Sequence, residues 1–173
     1  MIKKNRFVLI LGSSNSSGDT YAIASYISEV TDIPIVDLLQ INFSDFDYTF
    51  KNRDDDFFSL IEELINNYDI FILATPVYWY TMSAIMKRFL DRFSDLLKIH
   101  KETGVKLRGK KMAIVSCGSD RVLKEGFHMP FIETAKYLGM VYIGDVHTWI
   151  SSGGIEKDVK DQIHHFIKKL NIH

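Results

Sequence analysis

A run of small polar residues near the start of the chain has the composition of a phosphate-binding loop. It follows the apolar segment Phe7–Leu11 and reads Gly-Ser-Ser-Asn-Ser-Ser-Gly-Asp-Thr from Gly12. Such a loop lets the backbone approach a phosphate, and the following helix offers free N–H groups and a positive dipole end. The candidate contacts are Ser13, Asn15, Ser16, Ser17, Gly18, Asp19 and Thr20. A serine-rich turn with an Asp or Thr helix cap is the alternative.

The glycine spacing excludes two common nucleotide-binding motifs. Five residues separate Gly12 and Gly18, and no Gly-Lys-Ser/Thr follows them. The loop is therefore not a Walker loop. It also lacks the three spaced glycines of a dinucleotide-binding fingerprint.

Three consecutive aromatic residues follow a later apolar segment, Ile70–Ala74. They are preceded by Pro76 and Val77, and the run Tyr78-Trp79-Tyr80 then leads into a helical pattern. A flat heteroaromatic ring bound here would find stacking faces and backbone N–H groups. The candidate ring contacts are Pro76, Val77, Tyr78 and Trp79. The alternative is ordinary aromatic packing, which is equally favoured for Tyr80.

A third small-residue loop, Ser116-Cys117-Gly118-Ser119-Asp120, follows the fourth apolar segment. Cys117, Gly118 and Ser119 are candidate ligand contacts, and Cys117 is interpreted as a small buried residue rather than a reactive thiol. His128, His147 and Trp149 also follow predicted strands, although packing roles are favoured for them. We assign no side chain to acid–base catalysis and none to a metal site.

Five short apolar segments alternate strictly with helical patterns, which predicts one doubly wound α/β domain over residues 1–173 with helices on both faces of a parallel sheet. The predicted strands are Phe7–Leu11, Ile33–Val36, Ile70–Ala74, Met112–Val115 and Met140–Ile143. The helical patterns centre on 23–30, 57–65, 82–93, 131–138 and 159–170. The three candidate loops then share the carboxyl edge of the sheet, where ligands bind in such folds.

Charged residues between these elements have simpler interpretations. The segment Gln40–Arg53 is an excursion whose aromatic residues are expected to pack against the domain. Asp54–Asp56 is expected to begin the second helix, where acids complement the dipole. We expect Lys87 and Asp91 to pair on the helix surface, and Arg88 and Arg92 to make surface pairs or subunit contacts.

The composition restricts the compartment and the partners. The chain of 173 residues has a formal net charge of −1 and a single cysteine. This balance gives no indication of a nucleic-acid or anionic-membrane partner, and one thiol cannot form an intrachain disulfide. No apolar run approaches membrane-spanning length. We therefore expect a cytoplasmic protein.

The two main loops together resemble those of the flavodoxin-like NAD(P)H-dependent FMN reductases. That family commonly has Gly-Ser-x-Arg-x-x-Gly-Asn-Thr after the first strand, and here Asn15 replaces the Arg and Asp19 replaces the Asn. The segment from Pro76 matches the family pattern Pro-x-Tyr-Trp, followed by Met-Ser-Ala and then by Lys and Asp-Arg. The resemblance covers about residues 6–170 and carries no cysteine-rich insert for an iron–sulfur cluster.

The resemblance implies a strand order 2-1-3-4-5, bound FMN and a homodimer. It also implies that NAD(P)H donates hydride and that a quinone, azo compound, nitroaromatic compound or free flavin accepts the electrons in the same site, with ping-pong kinetics. The alternative function is a flavodoxin-type electron carrier, although such carriers are typically far more acidic than this chain. A flavin-free binding module is a further alternative. A phospho-receiver domain is rejected, because the required acidic residues are absent.

Overall fold

The computed structural model describes residues 6–172. Their core is a five-stranded parallel sheet in the order β2-β1-β3-β4-β5, which is the flavodoxin-like arrangement and confirms the predicted fold. The strands are β1 (Phe7–Leu11), β2 (Ile35–Asp37), β3 (Ile70–Pro76), β4 (Lys111–Cys117) and β5 (Val141–Thr148).

Helices follow the strands and cover both faces of the sheet. They are α1 (Asp19–Thr31), α2 (Phe57–Asn67), α3 (Ala84–Asp91), α4 (Phe93–Lys98), α5 (Lys101–Gly104), α6 (Met129–Tyr137) and α7 (Lys157–Lys169). Two short 3₁₀ segments, Leu38–Gln40 and Val105–Leu107, complete the described elements. Among residues 6–172 there is no helix with both the length and the apolar character needed to span a bilayer.

Strand residues alternate between two apolar cores, as the two-residue period of a strand requires. Val8, Ile10 and Leu73 face one core, which also contains residues of α2, α3, α4 and α6. Leu9 and Ile72 face the other, which is closed by α1 and α7. Because both faces of β1 and β3 are covered, the sequences of these strands are continuously apolar and do not alternate between apolar and polar residues.

The strands differ from the predicted ones mainly at their ends. β3 continues through Thr75 and Pro76, β5 continues to Thr148, and β2 begins two residues later than expected. Polar residues at a carboxyl edge can keep the ladder hydrogen bonds, so the loss of apolar character does not mark where pairing stops. The Asp or Thr cap of α1, considered as the alternative to a phosphate loop, is not formed, because Gly18 occupies the cap position and makes no side-chain capping bond.

The third predicted helix is two helices that meet at Arg92. Lys87 and Asp91 form the expected surface pair. The surface role expected for Arg92 was wrong, because its side chain is fully buried. Its guanidinium lies 2.6 Å from the Asp55 carboxylate and 2.9 Å from that of Asp95.

Arg92 anchors the long excursion between β2 and α2. Its guanidinium also donates to the Ser44 carbonyl at 3.1 Å and lies over the Phe57 ring, 4.7 Å from the centroid. The Asp55 carboxylate accepts a bond from the Ser44 N–H at 2.9 Å. A buried charge needs several such partners to offset its desolvation. The excursion is therefore held against the α3–α4 junction.

The aromatic residues of the excursion pack only in part as expected. Phe43 is buried against Phe57 and Phe89. Phe46 contacts the rings of Tyr48 and Phe50 in a smaller group outside the core, and Tyr48 is 88% exposed. The excursion thus contributes one core side chain and a local aromatic group.

Candidate cofactor site

Three loops meet at the carboxyl edge of the sheet, after β1, β3 and β4. They enclose a cavity of about 420 Å³, which lies within the usual range for small-molecule sites. Its lining residues are Ser13, Asn15, Gly18, Asp19, Thr20, Pro76, Val77, Tyr78, Cys117, Gly118 and Ser119. Of the candidate contacts, Ser16, Ser17 and Trp79 do not line this cavity.

The loop after β1 is held in shape by its own side chains. The Asn15 amide oxygen accepts bonds from the N–H and the hydroxyl of Ser17, both at 2.9 Å. The Ser13 hydroxyl accepts from the Asn15 N–H at 3.2 Å, and the Ser16 hydroxyl donates to Asp37 at the end of β2. Ser16 and Ser17 are therefore used to shape the loop rather than to line the cavity.

Helix α1 begins at the floor of the cavity. Because Gly18 supplies no capping side chain, the first N–H groups of α1 stay available to an anion. Thr20 and Ser13 are buried beside them, and Asp19 is the first helical residue. The Asp19 carboxylate is the single acidic group among the lining residues, so it opposes an anion at this end.

A buried serine that the sequence reasoning did not single out joins two of the loops. The Ser83 hydroxyl donates to the Gly12 carbonyl at 2.6 Å and accepts from the Met86 N–H, capping α3. The Ser83 N–H donates to the Thr75 hydroxyl at 3.1 Å. A side chain on Gly12 would place its Cβ 2.8 Å from the Cβ of Met86. Glycine thus allows the close contact between the first loop and α3.

The aromatic turn is a two-residue β-turn with unusual backbone angles. Tyr78 and Thr81 exchange N–H to carbonyl bonds of 2.9 and 3.1 Å. Trp79 and Tyr80 between them have φ values of 48° and 66°, which is the type I′ pattern that Asn and Gly normally occupy. The two side chains are 92% and 64% exposed. A strained turn that presents two rings to solvent is typical of a functional site.

Tyr78 connects this turn to the first loop. Its hydroxyl lies 3.1 Å from the Ser14 hydroxyl, so the two loops are bridged across the edge of the cavity. Val77 connects the turn to the third loop, since its N–H donates to the Cys117 carbonyl at 2.8 Å. The three loops are thus linked by direct hydrogen bonds.

Cys117 ends β4 at the side of the cavity. Burial raises the pKa of its thiol above the ordinary value, although hydrogen bonds to Thr148 and Thr20 act in the opposite direction. A thiol in such surroundings is a weak nucleophile at neutral pH. This agrees with its interpretation as a small buried residue.

A second, smaller cavity of about 210 Å³ adjoins the first and shares Val77, Gly118 and Ser119 with it. The residues that line this cavity but not the larger one are Trp79, Tyr80, Asp120, Val122, Leu123, Lys124 and His147. Trp79 therefore lies at the smaller cavity and does not line the larger one. The pair of cavities provides room for a cofactor and for a second ligand beside it.

The cavity combines features that suit a flat ring joined to a phosphate. One end has free helix N–H groups and hydroxyls, and the other has apolar and aromatic groups. Residues 5–154 match the model of the NADPH-dependent FMN reductase family. The chain belongs to this family. The expected cofactor, FMN, and the expected enzyme class, an NAD(P)H-dependent oxidoreductase, are thereby confirmed.

Individual relatives of known name agree with the family. A Bacillus subtilis (strain 168) protein named as an NAD(P)H-dependent FMN-containing oxidoreductase, YwqN, is 27% identical over 158 residues, covering 82% of this chain and 83% of its own. An NADPH azoreductase of Bacillus sp. (strain OY1-2) is 25% identical over 95% of this chain and 90% of its own. General stress protein 14 of Treponema denticola, solved with FMN, is 17% identical, with a TM-score of 0.68 and coverage of 96% and 98%.

The remaining candidates from the sequence lie at different distances from the cavities. His147 lines the smaller one, and Trp149 is buried behind it with ring centroids 6.3 Å apart. His128 instead faces Asp145 at 3.4 Å. Within residues 6–172, no group of three or more His, Cys, Asp or Glu side chains could hold a metal ion.

Proposed function

We propose that the larger cavity holds FMN, with its phosphate at the Ser13–Thr20 loop and its ring between Pro76–Tyr78 and Cys117–Ser119. The observation that carries this assignment is the polarity of the cavity, which runs from the N-terminus of α1 to an aromatic turn. Asn15, Ser16, Ser17 and Gly18 shape the phosphate loop, and Trp79 faces the space beside the ring. Every candidate contact thus has a role in binding the cofactor or in supporting a loop that does.

Bound FMN would supply the two-electron hydride chemistry of the reaction. The protein residues orient the ring, exclude water and leave the smaller cavity open to a nicotinamide and then to an acceptor. We infer that the acceptor is a small planar molecule, such as a quinone, an azo or nitroaromatic compound, or free flavin. The azoreductase relative supports the azo class.

The test is anaerobic reduction of the bound flavin by NADH or NADPH. We expect the flavin colour to bleach within minutes and an added quinone or azo dye to restore it. The kinetics should be ping-pong, because the nicotinamide and the acceptor use the same cavity in turn. The net charge of −1 gives little long-range field to steer a protein partner. A flavin that dithionite reduces but both nicotinamides leave oxidised would instead place the chain among electron carriers.

Trp79→Ala tests the part played by the smaller cavity in that reduction. Alanine suffers nearly the same penalty as tryptophan at positive φ, so the variant removes the ring without relieving the backbone. We expect slower bleaching by about tenfold, with FMN affinity almost unchanged. A matching loss of FMN affinity would show that Trp79 binds the cofactor instead.

Asp19→Asn tests the charge beside the phosphate. If the carboxylate faces the bound phosphate, the variant tightens FMN binding about fivefold, equivalent to about 1 kcal/mol, and leaves riboflavin binding unchanged. Glu29→Gln, which removes one charge from the opposite end of α1, is the control and should change neither affinity. Weaker FMN binding by Asp19→Asn would contradict the proposed position of the carboxylate.

We also propose a homodimer that operates in the cytoplasm on small molecules, without a nucleic-acid or membrane partner. A groove of about 710 Å³ between α4 and α6, lined by Phe93, Leu97 and Tyr137 among others, is the surface that we propose for self-association. Sedimentation at micromolar concentration should give about twice the 20.0 kDa chain mass. A monomer with FMN bound would refute the assembly but not the activity.

A further inference from the structure

His147 occupies a fixed place between two strands and the third loop. In the β4–β5 ladder it lies opposite Ser116, so both side chains project from the same face of the sheet. The Ser116 hydroxyl is fully buried and lies 2.9 Å from Nδ1 of His147. The sheet fixes the position of Ser116, and its hydrogen bond to Nδ1 therefore fixes the imidazole ring.

The partners of the ring determine its tautomer. Nε2 lies 2.8 Å from the backbone carbonyl oxygen of Asp120, and a carbonyl can only accept, so Nε2 must carry the hydrogen. In the neutral ring Nδ1 is then an acceptor, and the Ser116 hydroxyl donates to it. The Asp120 carbonyl thus selects the tautomer of His147, and the buried Ser116 hydroxyl, which can donate or accept, satisfies Nδ1 in that tautomer.

That donation fixes the far end of a three-residue segment at both cavities. The segment begins at Gly118, whose N–H donates to the Thr148 carbonyl at 3.0 Å, and ends at the Asp120 carbonyl. Within residues 6–172, no protein acceptor takes the N–H of Ser119 or of Asp120. The segment is thus anchored at the Gly118 N–H and at the Asp120 carbonyl, and it carries the N–H groups of Ser119 and Asp120 beside the cavities.

The ring also packs directly under the segment. A Cβ added to Gly118 would lie 3.3 Å from Cε1 of His147 and 3.4 Å from Cβ of Val77. The imidazole, the aromatic turn and the third loop thus meet at Gly118, where a Cβ would need the imidazole to move by a few tenths of an ångström. A shift of the ring would move the segment relative to Val77.

We propose that His147 is a positioning residue for the reductase: through the Asp120 carbonyl it holds the Ser119 N–H, at the boundary of the two cavities, where the polar edge of the flavin ring lies. This inference rests on the proposed placement of FMN. The positioned N–H lies at the ring end of the cavity. Loss of the His147 hydrogen bond should therefore weaken the binding of FMN and of riboflavin equally. It assigns His147 no proton transfer.

The test compares His147→Gln with His147→Asn. The glutamine amide can reach the place of Nε2 and donate to Asp120, whereas the shorter asparagine amide reaches only the place of Nδ1. We expect His147→Asn to weaken FMN and riboflavin binding alike, by about tenfold for one lost hydrogen bond, and His147→Gln to stay within about twofold of wild type. Thermal unfolding of both variants shows whether they fold equally well.

Three outcomes would overturn the proposal: equal affinities in the two variants, a loss confined to FMN, or a loss explained by unfolding of His147→Asn alone. A second readout needs no flavin. Proton–nitrogen correlation spectra of the apoprotein should show His147 with hydrogen on Nε2, and Ser116→Ala should weaken that preference. Hydrogen on Nδ1 in the wild-type protein would also overturn it. If the wild type binds no flavin, the proposed FMN placement fails, while these spectra still test the bond to Asp120.

Discussion

Arg92→Met should lower the free energy of unfolding by about 3–5 kcal/mol, the usual cost of removing one partner from a buried ion pair. The variant leaves the carboxylates of Asp55 and Asp95 without their cation, and the Ser44 carbonyl without its donor. Urea unfolding monitored by circular dichroism measures the change. The excursion before α2 should also become more accessible to protease.

The same helix offers a matched control. Arg88 pairs with Asp45 at 2.7 Å, but 37% and 84% of these two side chains are exposed. Arg88→Met should therefore cost only about 0–1 kcal/mol. Similar losses for the two variants would show that burial of the Arg92 pairs contributes nothing beyond a surface contact.

The free energy of unfolding at acidic pH gives an independent check of the Arg92–Asp55 pair. Burial raises the pKa of the Asp55 carboxyl, but hydrogen bonds from Arg92 and from the N–H groups of Ser44 and Phe57 outweigh it, so the pKa lies below its ordinary value. A lowered folded-state pKa stabilises the fold above the unfolded value of about 3.9, and the stabilisation is lost as pH falls through the folded value. Arg92→Met removes the largest of these lowering contacts, so the stability difference between wild type and variant should shrink as pH falls through the folded pKa of Asp55.

Wild-type protein should bind FMN about 100-fold more tightly than riboflavin. The phosphate can accept bonds from the first N–H groups of α1 and from buried hydroxyls such as those of Ser13 and Thr20. Bonds to a charged group contribute about 1.5–3 kcal/mol each, and the Asp19 charge offsets part of the total. A net advantage of about 3 kcal/mol corresponds to the stated ratio.

Quenching of flavin fluorescence during titration of the apoprotein measures both affinities under one condition. Riboflavin serves as the control ligand, because it has the same ring and ribityl chain without the phosphate. Equal affinities would show that the Ser13–Thr20 loop does not bind phosphate. The proposed orientation of the cofactor would then have to be reversed or abandoned.

The sequence predicted the sheet because its signals are local. Each strand buried on both faces is apolar over four or more residues, and each loop is rich in small or aromatic residues. The roles of Arg92 and Ser83 could not be predicted in this way. Arg92 has its partner Asp55 at a distance of 37 residues in the chain, and Ser83 has Gly12 at 71. Such pairs are defined by the packing of elements rather than by spacing.

His147 shows the same limit within the site. Its position near the end of β5, after Asp145 and Val146, is compatible with packing or with ligand binding. The register opposite Ser116, which the sequence does not show, gives the ring its hydrogen-bond partner. The predicted surface role of Arg92 failed for a related reason. A charged residue at the end of an amphipathic helix normally faces solvent, but here the excursion before α2 covers the guanidinium and supplies Ser44 and Asp55 as its partners.

Given the role that we propose for Trp79, the type I′ turn at Tyr78–Thr81 places stability and catalysis in opposition at a single position. A glycine at 79 would relieve the positive-φ penalty, worth of order 1 kcal/mol, and would make the folded domain more stable. It would also remove the exposed ring beside the proposed cofactor site. Selection for heat resistance alone would therefore favour losing Trp79, while selection for turnover would keep it. In a mixed culture of cells that carry either the wild type or Trp79→Gly, the ratio of the two would report whether selection for stability or for turnover dominates.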